Sequence, residues 1–327
     1  MNAVTRLALY GAGLVVAFGA AFVIAGAVVP TDLVAAWEQR ATQSHPSHDG
    51  TTSESSDGEV AGLSLSADGF VLSPITAPRE VGDEGELTFQ IQDFAGGAIT
   101  EFALAHEKEL HLITVRSDGS QFRHVHPELD ALTGTWTIPW TWEEAGTYRI
   151  YADFTPADEG ASGVTLTRTV EVEGSFQPVM PVRRQIDNVD GFTVVAEGEL
   201  YAGLPSDLTF TVQHGDQLVE NLEPYLGAFG HLVALREGDL AYLHIHPSGE
   251  APQSGQNSGP EVSFTVEAPM AGPYLLYLDF QVDEEVHTAT FVLDARHSAA
   301  QNAGTGPQSD DVGSQSDDAD SHGDSHS

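Results

Sequence analysis

Short runs rich in Val, Ile, Thr, Phe and Tyr follow one another from about residue 60 to residue 296, separated by Gly, Asp and Pro. Each run has the length of a β-strand, and no helical apolar period continues for longer than about two turns. β-Branched and aromatic residues between turn-forming residues are typical of sheets. This part of the chain is therefore predicted to be all-β.

The segment Leu7–Val29 precedes this region and is apolar throughout, without a charged residue. It is long enough to cross a bilayer, which takes about 20 apolar residues. Because Arg6 stands before it and positive flanks stay inside, residues 1–30 are predicted to be a single-pass anchor in the cell membrane, with the rest of the chain extracytoplasmic. A cleaved signal, with Ala25–Ala27 as the cleavage site, is the alternative and would make the protein secreted.

Residues 31–59 and 297–327 are rich in Ser, Gly and Asp and have no apolar period. They are predicted to be a disordered linker and a disordered acidic tail. His45, His48, His322 and His326 lie in these segments. Solvated linker and tail chemistry is the favoured interpretation of these four, with weak metal scavenging as the alternative.

The β-rich region repeats itself in a preserved order. The matching segments are SADGFVLSP and NVDGFTVVA, ELTFQIQD and DLTFTVQH, HLITVRSDGSQFRHVHP and HLVALREGDLAYLHIHP, EEAGTYRIYADF and PMAGPYLLYLDF, and LTRTVEVEG and TATFVLDA. Two domains are predicted, at 60–175 and 183–296. The motifs around Tyr148 and Tyr274 resemble the tyrosine corner of immunoglobulin-like domains. The predicted architecture is therefore two tandem immunoglobulin-like β-sandwiches after an N-terminal transmembrane helix.

The same histidine pattern, His-x12-His-x-His-Pro, occurs once in each repeat. In the first repeat, a turn centred between residues 118 and 119 makes a hairpin that places His111 opposite His126 and Ile113 opposite His124. Side chains alternate across a strand, so the three histidines project from one face.

In the second repeat, the same construction places His231 opposite His246 and Val233 opposite His244. Three neutral imidazoles close together suit Zn²⁺ or Cu²⁺ and leave room for a fourth ligand. A polar strand with satisfied histidines is the competing interpretation of a single hairpin. The recurrence of the spacing favours metal, with up to two sites per chain.

Candidates for the fourth ligand come from the strand after the tyrosine corner. Asp153 and Asp279 stand at matching positions. Because side chains alternate between the two faces of a strand, both aspartates lie on the outer face if the corner tyrosine points inward. A capping role for these aspartates is the alternative. His106, present only in the first repeat, is a candidate extra ligand or a polar loop residue. His214 and His287 match nothing in the other repeat and are interpreted as structural or solvent-facing.

Composition excludes several classes of site. The chain has no cysteine, which removes disulfides, thiolate metal sites and thiol catalysis. Beyond Met1 the only methionines are Met180 and Met270, so a Met-rich Cu(I) carrier is disfavoured, although each could add a soft ligand. With 49 acidic against 12 basic residues and a formal charge of −37, nucleic acid is not an expected partner.

Four segments carry a resemblance to a known group of proteins: His106–Arg116, Phe122–Pro127, Ala145–Pro156 and Leu226–Pro247. With the N-terminal apolar segment, they resemble a group of mostly uncharacterised, membrane-anchored, secreted bacterial proteins with repeated HLxxxR and HxHP motifs. Members look like heavy-metal-binding or copper-handling β-sandwich proteins. The resemblance implies a copper or zinc ion as the partner.

The leading hypothesis is an extracytoplasmic binder that captures or buffers copper or zinc, or delivers it to a metal transporter or chaperone. No nucleophile, base and orienting acid recur together, so the chain is not expected to be an enzyme. One alternative is an immunoglobulin-like envelope or adhesion scaffold with structural histidines. A cupin-like metalloenzyme, suggested by the spacing Gly238-x5-His244-x-His246-x3-Glu250, is less favoured because the second cupin motif is lacking.

Overall fold

The computed structural model describes residues 62–158, 160–243, 245–248, 252–253 and 255–297, and the backbone alone at residue 246. The predicted anchor, linker and acidic tail lie outside the described residues. Within the described residues, no helix has the length and apolar character needed to cross a membrane. Every helix or strand assigned there is a β-strand, which confirms the all-β prediction.

The first sandwich is built from ten strands. They are β1 (Ser66–Ala67), β2 (Phe70–Leu72), β3 (Gly85–Asp93), β4 (Phe102–Ala103), β5 (Leu110–Arg116), β6 (Arg123–Val125), β7 (Glu128–Asp130), β8 (Thr135–Trp140), β9 (Gly146–Pro156) and β10 (Val164–Val172). One sheet has the order β1-β2-β3-β8-β7, and the other has the order β10-β9-β5-β6 with β4 beside β9.

The second sandwich is built from eleven strands. They are β11 (Ile186–Val189), β12 (Phe192–Glu197), β13 (Leu200–Tyr201), β14 (Pro205–His214), β15 (Gln217–Leu218), β16 (His231–Arg236), β17 (Tyr242–Leu243), β18 (Ile245–Pro247), β19 (Glu261–Glu267), β20 (Gly272–Val282) and β21 (Glu285–Arg296). One sheet has the order β11-β12-β14-β19-β18 with β15 beside β14, and the other has the order β13-β21-β20-β16-β17.

Three apolar clusters hold these strands together. One lies between the sheets of the first sandwich and includes Phe89, Leu112 and Trp136. A second lies between the sheets of the second sandwich. The third joins β5 and β9 of the first sandwich to β16 and β20 of the second, so the two sandwiches belong to one compact unit. We call the sheets that contain β5 and β16 the facing sheets.

Burial along β5 follows from this arrangement. All seven residues of the strand are buried, whereas an ordinary surface strand buries alternate residues. Leu110 and Leu112 point into the core of the first sandwich. Ile113 and Val115 point the other way, into the third cluster. The face that carries His111 is therefore the face that docks against the second sandwich.

The contacts between the facing sheets come in matched pairs. Tyr151 and Tyr277 occupy equivalent positions in the two repeats, as do Phe122 and Tyr242. Phe122 stacks on Tyr277 with ring centroids 4.0 Å apart, and Tyr151 packs against Tyr242 with ring centroids 5.7 Å apart. The docking therefore has the reciprocal character of a pseudo-twofold interface within one chain.

Both tyrosine corners are formed. The hydroxyl of Tyr148 donates to the carbonyl of Glu144 at 2.8 Å, and that of Tyr274 donates to the carbonyl of Met270 at 2.9 Å. Both rings are buried and point into their own sandwich. This orientation sends Asp153 and Asp279 to the outer face of the facing sheets, as strand parity predicts.

Replacing Tyr274 by Phe should lower the free energy of unfolding by about 1 kcal/mol, because one buried hydrogen bond is lost while the ring remains. Urea unfolding of the full-length chain measures this. Tyr201→Phe is the matched control, since it removes a hydroxyl bonded to the exposed Glu199 and should change stability by less than about 0.5 kcal/mol. Equal effects of both substitutions would contradict a structural role of the corner.

Candidate metal centre

The first hairpin has the predicted register. Ile113 on β5 pairs with His124 on β6, and Leu112 pairs with Val125. His111, His124 and His126 meet on the docking face, and one ring nitrogen of each lies within 4.8 Å of the other two. The first predicted trio is thus brought together at the edge of the third apolar cluster.

The distances between the convergent nitrogens are short. Nδ1 of His111 lies 3.0 Å from Nε2 of His124 and 3.2 Å from Nε2 of His126. In a tetrahedral zinc site with Zn–N bonds of about 2.0–2.1 Å, neighbouring ligand atoms lie roughly 3.3 Å apart. The two distances from Nδ1 of His111 therefore fit the edges of such a tetrahedron.

Hydrogen bonds on the outer nitrogens decide which atoms carry protons. Nε2 of His111 donates to the carbonyl of Ala105 at 3.0 Å, and Nδ1 of His124 donates to Oδ2 of Asp279 at 2.8 Å. A carbonyl and a carboxylate only accept, so these two nitrogens hold the single hydrogen of each ring when both rings are neutral. The atoms that face each other, Nδ1 of His111 and Nε2 of His124, are then two lone pairs. Two lone pairs at hydrogen-bond distance repel unless a cation lies between them.

Three imidazoles around this contact have lowered pKa values. Burial, followed by the neighbouring His124, lowers the pKa of His111 and the pKa of His126 each to about 3. Burial likewise lowers the pKa of His231 to about 4. These imidazoles are neutral at physiological pH, which is the form that binds metal.

The second sandwich also contributes to this site. Nε2 of His231 donates to the carbonyl of Tyr225 at 2.8 Å, just as His111 uses Ala105. The ring of His231 lies 5.2 Å from that of His106 and 6.2 Å from that of His124, between centroids. A cavity of about 70 Å³ between the sandwiches is lined by these rings together with His111 and Asp153. It has room for an ion and a water molecule.

The two aspartates have different surroundings. Asp153 pairs with His111 across β5 and β9 and accepts from the hydroxyl of Thr165 at 2.6 Å. Asp279 pairs with His231 across β16 and β20, but its Oδ2 binds His124 of the first repeat. Asp279 therefore contacts the other repeat, because face-to-face packing turns β20 toward the first hairpin.

The second hairpin departs from the prediction. Its pairing runs only through Ala234–Leu243 and Leu235–Tyr242. The backbone of the next segment pairs with β19 of the other sheet, with His246 opposite Thr265, so the predicted pairing of His231 with His246 is wrong. The chain changes sheets here because Ile245 packs against the core of the second sandwich. His244 and the side chain of His246 lie outside the described residues.

Other candidates lie away from the cluster. His287 is buried against Phe192 and bonds to Asp190 at 3.0 Å, and His214 is exposed. Met270 accepts from Arg236, at the opposite end of β16 from His231. Met180 lies beside Asp118, whose turn is at the opposite end of β5 from His111. Neither methionine reaches the histidines, so their suggested role as soft ligands is corrected.

Residues that support the site were missed in the sequence. Thr165 holds Asp153, and Thr288 holds Asp279 at 2.6 Å. The strand registers make these threonines equivalent, whereas aligning LTRTVEVEG with TATFVLDA displaces the repeats by one residue. A corrected alignment would have shown an equivalent Asp–Thr pair in each repeat. The roles of the Ala105 and Tyr225 carbonyls could not be predicted, because a backbone acceptor is not revealed by the type of its side chain.

The family comparison finds one match. A family described as a domain of unknown function, DUF8832, matches the chain twice, over residues 66–174 and 187–297. The first match covers β1 to β10 and the second covers most of β11 through β21. No curated protein matches the chain.

Solved structures give only remote likenesses. Domains 4 and 5 of the S-layer protein SbsC match at 14% identity and a TM-score of 0.21, over 66% of this chain and 83% of that chain. The adhesin InvE of Yersinia pseudotuberculosis matches at 12% and 0.20, over 71% and 60%. Invasin, a bacterial integrin-binding protein, matches at 11% and 0.22, over 70% and 39%. TM-scores this low carry no argument about function.

The metal-free protein should lose stability in mild acid. Unfolded histidines take up protons near pH 6.5, whereas folded His111 and His126 do so only near pH 3. Between these values the unfolded state binds more protons, so stability rises with pH and falls on acidification. Urea unfolding with a chelator should show a loss of at least about 1 kcal/mol between about pH 7 and pH 5. His126→Asn should reduce this slope and His214→Asn should preserve it; an unchanged slope in the first variant would contradict the assignment.

Proposed function

We propose that this chain, which belongs to the family described as a domain of unknown function, DUF8832, in both of its sandwiches, binds a transition-metal ion, Zn²⁺ or Cu²⁺, through His111, His124 and His126. One observation carries the proposal. The hydrogen bonds to Ala105 and Asp279 aim Nδ1 of His111 and Nε2 of His124 at each other at 3.0 Å, with Nε2 of His126 3.2 Å from the same Nδ1. A metal ion bound among these three nitrogens gains a coordinate bond from each.

The donor set favours zinc or copper. Imidazole nitrogen suits both ions, and neither cysteine nor methionine lies at the cluster. Three protein ligands leave a fourth position beside the cavity, where His106, His231, Asp153 or a water molecule can coordinate. We therefore propose one ion in the described cluster, shared between the two sandwiches.

The surroundings suit a site that exchanges its ion. His111 is buried, whereas His126 is only half-buried, so one ligand borders solvent. An open coordination position at such a border lets a partner's ligand approach the ion. We propose that the protein captures or buffers the ion on the extracytoplasmic side and delivers it to a transporter or chaperone, held at the membrane by its N-terminal segment. That the chain has no enzymatic activity remains part of this proposal.

A second candidate function is an immunoglobulin-like envelope or adhesion scaffold whose histidines are structural. Two tandem sandwiches with tyrosine corners are the architecture that such a scaffold needs. The two functions differ in one measurable respect, because the scaffold requires no ion. The cupin-like metalloenzyme stays the least favoured candidate.

The full-length chain should bind one Zn²⁺ or Cu²⁺ tightly, in addition to weak binding by the histidines of the tails. Replacing His124 and His126 together by Ala should weaken this tight binding by at least about a hundredfold, because two of the three protein ligands are lost. Competitive titration with a chromophoric chelator, together with elemental analysis, measures the affinity and the stoichiometry.

His214→Ala is the matched control, because it removes an exposed histidine and leaves the cluster intact. The tail histidines are present in every variant, so the difference between variants isolates the cluster. Equal affinities of the double variant and the control would rule out the site and leave the scaffold as the better account.

A further inference from the structure

We infer that Asp279 of the second sandwich is a positioning residue for the metal site of the first, so that the ion is held at full strength only while the sandwiches are docked. This inference rests on the proposed metal site and adds a regulatory property to it. The contact that carries it joins Oδ2 of Asp279 to Nδ1 of His124 at 2.8 Å. Both side chains are about 95% buried, at 4% and 5% exposure.

Asp279 is held rigidly. Its strand, β20, is central in the facing sheet and pairs with β16 on one side and β21 on the other. Its second oxygen, Oδ1, accepts a hydrogen bond from the hydroxyl of Thr288 at 2.6 Å. Each carboxylate oxygen therefore has a fixed partner, one within its own sandwich and one in the other.

The bond to Asp279 has a chemical consequence at the far side of the imidazole ring. A carboxylate on Nδ1 keeps the hydrogen there, which leaves Nε2 of His124 as a lone pair aimed at His111 and His126. It also makes the ring a stronger donor to a metal and prevents it from turning. Loss of such an outer partner commonly weakens metal binding about 10–100-fold.

The source of this partner differs between the ligands. His111 takes its outer partner, the carbonyl of Ala105, from its own sandwich. His124 takes its partner from the other sandwich, 155 positions away along the chain. Only His124 of these two therefore depends on docking for its orientation.

Docking is maintained by contacts outside the metal site. Leu275 packs in the third apolar cluster, and the hydroxyl of Tyr277 donates to the carbonyl of Gly119 at 2.6 Å. If docking strengthens metal binding by some factor, metal binding strengthens docking by the same factor, because the two equilibria are linked. The ion and the interface then stabilise each other.

The first test compares zinc affinities in the full-length chain. Asp279→Ala should bind Zn²⁺ about 10–100-fold more weakly, and Asp279→Asn, which keeps an acceptor oxygen, should lose less. Asp190→Asn is the matched control, because it alters the other aspartate–histidine contact, at His287, and should leave the affinity unchanged. The ¹⁵N imidazole spectrum of the metal-free protein should show His124 as the Nδ1–H tautomer, and this signal should change in Asp279→Ala alone.

The second test separates docking from general stability with two neighbouring leucines on β20. Leu275 faces the first sandwich across the interface, whereas Leu276 faces the core of the second sandwich, to which both residues belong. Leu275→Ala and Leu276→Ala should both lower the urea midpoint, but Leu275→Ala should weaken zinc binding more. Equal zinc affinities in these two variants would overturn the link to docking.

The outcomes distinguish the inference from the function on which it rests. If the native chain binds zinc tightly and Asp279→Ala binds it equally well, the positioning role is wrong and the metal site stands. If the native chain binds neither Zn²⁺ nor Cu²⁺ tightly, the metal site fails and the inference fails with it. Weaker binding in Asp279→Ala and Leu275→Ala, with unchanged binding in Asp190→Asn, supports both.

Discussion

Burial of the docking face of β5 is the constraint on which the rest of the structure depends. Strand β5 packs into the core of its own sandwich with one face and against the second sandwich with the other. Transfer of the apolar side chains of the second face out of water stabilises the docked arrangement. The polar residues at the end of the same face are then forced into a dry environment, where each needs a partner.

Hydrogen bonds give such partners to only some of the ring nitrogens in the histidine cluster. Outer nitrogens of His111, His124 and His231 are bonded to Ala105, Asp279 and Tyr225. The inner nitrogens of His111 and His124 face each other at 3.0 Å, and burial lowers the pKa of His111 to about 3. Apolar docking thus creates both the low pKa of His111 and the convergence of the ring nitrogens, which are the two properties that the proposed metal site requires.

Pseudo-symmetry between the repeats explains how duplication leads to one composite site. The aromatic contacts of the interface are reciprocal, with Phe122 on Tyr277 and Tyr151 on Tyr242. At the end of the interface, a polar contact joins His124 of the first sandwich to Asp279 of the second. Each sandwich therefore presents its docking face to the other, and the contact between His124 and Asp279 belongs to the docked pair. A scaffold function uses the same docking without the ion, which is why ion binding itself separates the two candidates.

The sequence was sufficient to determine the all-β fold, the tyrosine corners and the register of the first hairpin. These features depend on local periodicity, which is visible in the alternating short runs and in the turn centred between residues 118 and 119. Strand parity also placed Asp153 and Asp279 correctly on the outer face. The tertiary structure alone decided that this face is an interface, that Asp279 serves His124, and that the chain changes sheets at Ile245. These features depend on packing between residues far apart in the chain, and such packing leaves no period in the sequence.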